Sequence, residues 1–228
     1  VVGKRDDAQH LIDVAQKLNA AAVVLDGYHF GGEYQRWIKE ADLRLLVLDD
    51  NGDADHYYAD WVLNQNIHAN EALYPSREDY TQLLLGTRYV LLRREFWPWR
   101  GWKREVPEIA RNILVTMGGS DPDNVTLQVL QVIGQLADVR ELCVKVVVGG
   151  SNPHVSELEA FAATVDVPIE ILHNVTNMPE LMAWADIAVS AGGSTIWELC
   201  MMGVPTIAVV TAENQKQLTE SLAHQHIV

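Results

Sequence analysis

The sequence predicts an α/β chain of two domains, each built on a parallel sheet, with the first domain incomplete. Three observations carry this. Short, nearly all-apolar runs rich in Val, Ile and Leu recur along the chain, as strands covered on both faces must be. Stretches with a helical stripe of apolar residues alternate with them, and such alternation builds a parallel sheet through right-handed crossovers. Charge and composition also change near the middle. Residues 1–107 hold 13 basic and 17 acidic side chains, whereas residues 108–228 hold only 4 and 14.

In the first half, Leu11, Ile12, Ala15 and Leu18 share one helix face. AAVVLD (21–26) then reads as a strand, 31–41 as a helix and RLLVLDD (44–50) as a second strand. WVLN (61–64), followed by LLLG and YVLLR within 83–93, supplies further short strands. The stretch FWPWRGWKREVPE (96–108) carries Trp97, Trp99 and Trp102, two prolines and a basic cluster. Pro and Gly deny it a helix or a central strand. It reads as a connector between a domain at 1–95 and one at 109–228, with its aromatics wedged between the two. A surface loop with its aromatics on one domain is the alternative. In the second half, strands are expected at 113–117, 141–148, 167–173, 186–191 and 204–210. Helices are expected at 123–137, 153–164, 178–184, 194–202 and 213–225, the first with Thr126, Val129, Leu130, Ile133 and Leu136 in one stripe.

Composition excludes several classes of function. A chain of 228 residues with 48% apolar side chains can bury a normal core, so it is neither disordered nor fibrous. A formal net charge of −14 argues against nucleic acid or an anionic membrane as partner. No apolar run approaches the ~18 residues of a membrane span. Cys143 and Cys200 sit in apolar runs without metal-ligand spacing, which fits buried thiols in a reducing compartment. The chain opens without an initiator Met or a signal peptide and reads as a piece of a longer protein, expected to be a cytoplasmic monomer.

In a parallel sheet the loops leaving the carboxyl ends of the strands share one edge, and ligands bind there. In the second half those loops read GGSDPDN (118–124), GGSN (149–152), HNVTN (173–177), GGST (192–195) and TAENQ (211–215). Glycines let a backbone approach a ligand closely, and the Ser, Asp and Asn residues suit helix caps; Asp121 reads as an N-cap with Pro122 at the first helical position. The only basic residues beyond position 107 are Arg111, Arg140, Lys145 and Lys216, and only Lys216 lies beside one of these loops. An anion bound there is met by backbone N–H groups and helix dipoles rather than by cations. GGST, opening the helix STIWELCMM, is the best such loop, and Glu198 lies one turn beyond Ser194 on the same helix face. A carboxylate repels a diphosphate but suits the two hydroxyls of a ribose, which together describe a nucleotide-sugar site. Tight strand–helix turns and a solvated helix charge are the alternative for any one loop, but not for the set.

Other motifs carry little. The glycine loops match neither GxGxxG nor GxxxxGK[ST], and GGSTI lacks the closing Gly of a nucleophile elbow. DDNGDAD (49–55) brushes against a calcium loop, but Ala54 stands where the turn needs Gly, and no metal is expected. The eight histidines show no paired ligand spacing. On the first domain's edge, Asp26, Tyr28 and His29 in DGYHF are placed either to reach a sugar or to make a turn; NQN (64–66) is equally open.

The strings LDGYHFGGEYQ, LDDNGDADHYYADWVLNQN, LLLGTRYVLLRREF, ILVTMGGSDPDN, MPELMAWADIAVSAGGSTIWELCMMGVP and the ENQ of TAENQ, in that order, resemble the PseG/SpsG family. Its best-known members are UDP-sugar hydrolases of pseudaminic acid biosynthesis that act on UDP-2,4-diacetamido-2,4,6-trideoxy-β-L-altrose. The resemblance implies two Rossmann-like domains of the glycosyltransferase-B type, similar to the MurG transferases. It implies a UDP-sugar substrate, no cofactor and no metal, with C1–O cleavage by water and inversion. It implies that Gly118, Gly119, Ser120, Gly193, Ser194 and Thr195 lie near the phosphates and Glu198 at the ribose. Gly149, Asn174 and Val175, on the neighbouring loops, complete the expected nucleotide-binding set. Tyr28, Asn214 and Gln215 are expected on the sugar. The family's base is a histidine in a GxGHxxR motif that this sequence lacks, so the catalytic residue is expected upstream of Val1 and the chain by itself is expected to be inactive. A MurG-like sugar transferase and a non-catalytic nucleotide-sugar-binding module are the competing readings.

Overall fold

The structure, a computed structural model, describes residues 1–136 and 141–228. The last residue of the helix expected at 123–137, and Arg140, lie outside the described residues. The chain divides into two compact units, Val1–Leu91 and Leu92–Val228.

The first unit runs α1 (Arg5–Lys17), β1 (Val23–Asp26), α2 (Gly32–Glu40), β2 (Leu45–Leu48), β3 (Trp61–Asn64) and β4 (Gln82–Leu85). Its strands pair in parallel in the order β1-β2-β3-β4. Helix α1 buries Ala8, Ile12 and Ala15, while Asp6 and Asp7 in its first turn and Lys17 in its last oppose its dipole favourably. Leu18 follows the helix as its C-cap and is exposed, so the predicted apolar face ends one turn earlier. The core gathers Leu25, Ile38, Leu45, Val47 and Val62 with Tyr34, Tyr57 and Tyr74. Gln35, fully buried, is satisfied at both ends: its amide donates to the Phe30 carbonyl (3.2 Å) and its oxygen accepts from Tyr58 N (3.1 Å). YVLLR, expected as a strand, is not one. Gly86 turns the chain at φ 88°, and a 3-10 turn over Thr87–Tyr89 follows.

The second unit opens with a 3-10 helix at Arg94–Trp99, where the prolines were expected to forbid any helix. Pro98 forgoes one N–H near its end, while Phe96 N still donates to the Arg93 carbonyl (3.0 Å) and Arg100 N to that of Trp97 (3.3 Å). Phe96 within it is fully buried, among Leu114, Met178, Met182, Leu199 and Met202. Trp99 packs against the same cluster, while Trp97 remains exposed. Arg104 fastens the segment further: its guanidinium donates to the carbonyls of Met202 (3.1 Å), Ala185 (2.5 Å) and Met182, and so meets the bare carbonyl ends of two helices.

The alternation then continues through β5 (Asn112–Thr116), α3 (Val125–Gly134), β6 (Cys143–Val148), α4 (Val155–Ala162), β7 (Ile169–His173), α5 (Met178–Trp184), β8 (Ile187–Ala191), α6 (Thr195–Met201), β9 (Thr206–Val209) and α7 (Lys216–His224), the last preceded by a 3-10 turn at Glu213–Gln215. Among the described residues the sheet has five parallel strands in the order β7-β6-β5-β8-β9. Leu114, Val115 and Val146 are sealed in its middle, and Leu130 and Leu158 cover it, each full burial of this kind contributing roughly 1.5–3 kcal/mol. The expectation of buried thiols fails. Cys143 points outward from the alternating strand β6 and Cys200 lies on the outer side of α6; both are exposed and unpaired.

Candidate functional site

In the second unit the chain builds β5, β6 and β7 toward one side of the sheet and then returns to place β8 and β9 on the other. The order therefore reverses between β5 and β8, and the crevice at such a switch point is where open parallel sheets bind ligands. The loops that leave β5 and β8 at this point are Gly118–Ser120 and Gly192–Ser194.

These loops are held by backbone contact. Gly118 takes φ 85°, a conformation natural only to glycine. The Gly119 carbonyl accepts from Ser151 N (3.3 Å), and a side chain on Gly149 would meet that carbonyl oxygen at 2.2 Å. The first two glycine loops thus touch backbone to backbone, while Gly118 and Gly119 themselves face open space. On the other side, a Cβ on Gly192 would lie 2.3 Å from the Thr219 hydroxyl. Gln215 braces its own loop, its oxygen accepting from both N and Oγ1 of Thr211 (3.0 Å each), and its side chain packs against Gly192, where an added Cβ would lie 3.2 Å from the Gln215 Cβ. Ser194, Asn174 and Asn214 are exposed, and Gly193, Thr195 and Val175 are half-buried. Asn174 turns its loop in the left-handed region (φ 51°), and Val175 packs on the cluster around Met178.

Two details differ from the sequence-based expectation. Asp121 caps the following helix from further away: the helix starts at Val125, so Pro122 is not its first residue. The nearly buried Asp121 carboxylate accepts from Val125 N (2.8 Å), Thr126 N (2.9 Å) and Thr126 Oγ1 (2.6 Å). It thereby fixes the end of the Gly118–Ser120 loop. Ser194, conversely, makes no capping bond with its hydroxyl. Glu198 is not a solvated helix charge. It is 7% exposed, and Arg93 grips it with two bonds, Nε to Oε1 (2.7 Å) and Nη2 to Oε2 (2.8 Å). That contact raises the Arg93 pKa above its ordinary value. Arg93 was missed because it precedes the stretch counted as cation-poor and its partner lies 105 residues away. The RREF string was the one available signal.

The first unit has its own rim, at the carboxyl ends of β1, β2 and β3. A cavity of about 290 Å³ there is lined by Asp26, Tyr28, Asp49, Asp50, Asp53 and Gln65, among others. Tyr28 is exposed at its edge. Asp49 faces its own loop: it accepts from Asn51 N (2.9 Å), Gly52 N (2.7 Å), Asp53 N (3.0 Å) and the Tyr57 hydroxyl. DDNGDAD is therefore a self-capped turn, and no cluster of metal-ligating side chains occurs among the described residues. Asp50 accepts from Asn66 Nδ2 (2.7 Å), and burial pushes its pKa up. Asp26 and His29 are exposed, without further partners that would separate a sugar contact from a turn.

Comparison with known proteins bears on the family and the fold. Residues 112–226 match the glycosyltransferase family 28 C-terminal domain. An uncharacterized protein of Methanocaldococcus jannaschii is 26% identical over 220 residues, covering 94% of this chain and 45% of that protein. The spore coat polysaccharide biosynthesis protein SpsG of Bacillus subtilis is 27% identical over 188 residues, covering 82% of this chain and 54% of SpsG. The chain thus spans about half the length of the curated relatives it matches. Among solved structures, MurG of Acinetobacter baumannii aligns with a TM-score of 0.62 at 17% identity, covering 96% of this chain and 62% of MurG. The spinosyn rhamnosyltransferase SpnG, complexed with thymidine diphosphate, aligns at 0.51 and 15%, covering 97% and 62%. With its two parallel sheets, the chain has the α/β fold of these neighbours, two Rossmann-like units of the glycosyltransferase-B type.

Proposed function

This chain belongs to the family of the glycosyltransferase family 28 C-terminal domain, and from that premise we propose that its second unit binds the UDP half of a nucleotide sugar at the rim between β5 and β8. The observation that carries the reading is the pair of glycine loops at the switch point, each packed on its neighbour, Gly119 against Gly149 and Gly192 against Gln215. Their amides suit the diphosphate, with Gly118, Gly119, Ser120, Gly149, Gly193, Ser194 and Thr195 around it. Asn174 and Val175 belong to the adjoining edge. Glu198 accepts the ribose hydroxyls. Tyr28, Asn214 and Gln215 are assigned to the sugar.

For the intact protein we propose hydrolysis. A base removes a proton from water, the water oxygen bonds to C1 with inversion, and the C1–O bond breaks with its electron pair leaving on the β-phosphate of UDP. Loop amides oriented at the departing phosphate stabilise the charge that develops there. No residue of this chain is assigned as the base, and the reaction is assigned no cofactor. The likeness to SpsG supports a place in polysaccharide biosynthesis. The family and the transferase neighbours favour a second reading, transfer of the sugar to an acceptor hydroxyl.

One experiment separates them. The full-length protein is incubated with UDP-2,4-diacetamido-2,4,6-trideoxy-β-L-altrose, and UDP and free sugar are measured with and without acceptor. Release of both without acceptor is expected. Turnover only with acceptor selects the transferase, and UDP binding without turnover in any mixture selects a binding module.

A further inference from the structure

We infer that Arg93 is the positioning residue of the ribose site: it fixes the plane of the Glu198 carboxylate and offsets its charge, so that the carboxylate can accept a nucleotide's ribose hydroxyls beside the phosphate loops. The inference rests on the assignment of Glu198 to the ribose.

The argument starts from a conflict. Glu198 lies one turn beyond Ser194, so a bare carboxylate there would repel the diphosphate it is meant to accompany. Arg93 eases the conflict. Its planar fork donates one proton to each carboxylate oxygen, at 2.7 and 2.8 Å, which sets the carboxylate's rotation and offsets its charge, with the Glu95 carboxylate sharing the same guanidinium. Each oxygen keeps lone-pair capacity for a further donor, and a vicinal diol supplies two.

Arg93, whose side chain is 47% exposed, has two further side-chain contacts. Its Nη1 lies 3.1 Å from Glu95 Oε1, and its guanidinium sits over the Phe96 ring at 5.5 Å. Phe96 in turn is fully buried in the core under α5 and α6. The residue immediately after Arg93 starts the 3-10 helix, so its backbone is fixed as well. Such a braced arginine, directed at one buried carboxylate, is arranged to orient it. A lysine could supply the charge but not the two-pronged geometry.

The test uses Arg93→Met, Arg93→Lys and Glu198→Ala in the full chain, with calorimetric binding of UDP and 2′-deoxy-UDP. The unaltered chain should prefer UDP by about 10-fold, the scale expected of a charged acceptor that loses its donor. Both Arg93 variants should lose that preference to within about 2-fold. Arg93→Lys should weaken UDP less than Arg93→Met does, because it still neutralises Glu198. A purely structural role would weaken both nucleotides in proportion and leave the preference intact; that outcome, in either variant, overturns the inference. If Arg93→Met does not fold by circular dichroism, Arg93→Lys decides. If Glu198→Ala keeps the preference, or the unaltered chain shows none, the ribose assignment itself falls. Loss of the preference in Glu198→Ala with retention in the Arg93 variants overturns the role of Arg93 alone.

Discussion

Replacing Gly149 with Ala tests whether the first two glycine loops form one surface. The conformation of Gly149 would accept an alanine, because its φ is not among the positive ones. What forbids the change is contact: the new methyl would lie 2.2 Å from the Gly119 oxygen, 2.5 Å from its Cα and 2.6 Å from its carbonyl carbon. All three are backbone atoms, so no side chain can swing aside. The loops must part by roughly 1 Å to restore ordinary contact. Overpacking of this kind costs ~1–3 kcal/mol, and losing the bond from Ser151 N to the Gly119 carbonyl adds ~0.5–1.5 kcal/mol. A total near 2–4 kcal/mol is therefore expected in urea unfolding. Displacing Gly119 should also weaken UDP at least ~10-fold by calorimetry. Gly150→Ala is the control, since nothing lies within 4 Å of the methyl it would add. It should stay within ~0.5 kcal/mol of the unaltered protein. Equal effects of the two substitutions, or a stable Gly149→Ala with full UDP affinity, would refute the reasoning.

Three further outcomes can be checked. Asp121→Ala strips an ionised acceptor from three donors at the start of α3 and should cost ~2–4 kcal/mol in urea unfolding, with Asp121→Asn recovering part of it. Lys216→Ala should weaken UDP by less than ~1 kcal/mol if amides dominate the phosphate site, and a loss of several kcal/mol by calorimetry would assign that role to the lysine. His68, whose pKa burial depresses and whose Nδ1 has no partner, should make stability fall as pH drops from about 6.5 toward its lower folded value, because the unfolded chain takes the proton first. A melting-temperature series should show a shallower fall in His68→Gln over that window, and identical slopes would contradict it.

The sequence made the second sheet legible because its strands are buried on both faces and so read as unbroken apolar runs such as ILVTM and ELCVKVVV. A run of apolar residues does not by itself say that a partner strand exists, which is why YVLLR misled: Gly86 had already turned the chain away. Proline misled in the opposite direction at 94–99, where the need to bury Phe96 outweighs the weakness of a 3-10 turn. The glycine loops could be found from strand polarity alone, since parallel strands put every exit loop on one rim. The Arg93–Glu198 pair could not, because spacing along the chain encodes nothing about residues 105 positions apart. Asp121 shows the intermediate case: the residue type announced a cap, but Asn124, in the left-handed region (φ 50°), delays the helix to Val125.

The two rims, each taken by itself, differ in the chemistry they present. At the second unit's rim the residues proposed for the nucleotide lie on glycine loops, and the one carboxylate among them, Glu198, is paired with Arg93. That balance suits an anion. The first unit's cavity presents carboxylates, the Tyr28 ring and the Gln65 amide. Asp49 turns both oxygens inward to its own loop, and burial makes Asp50 reluctant to ionise. What remains is a set of hydrogen-bonding groups weighted toward acceptors, which is poorly matched to phosphate and well matched to the hydroxyl and N-acetyl N–H donors of an amino sugar. This difference is what the proposed assignment of the nucleotide to the second unit draws on.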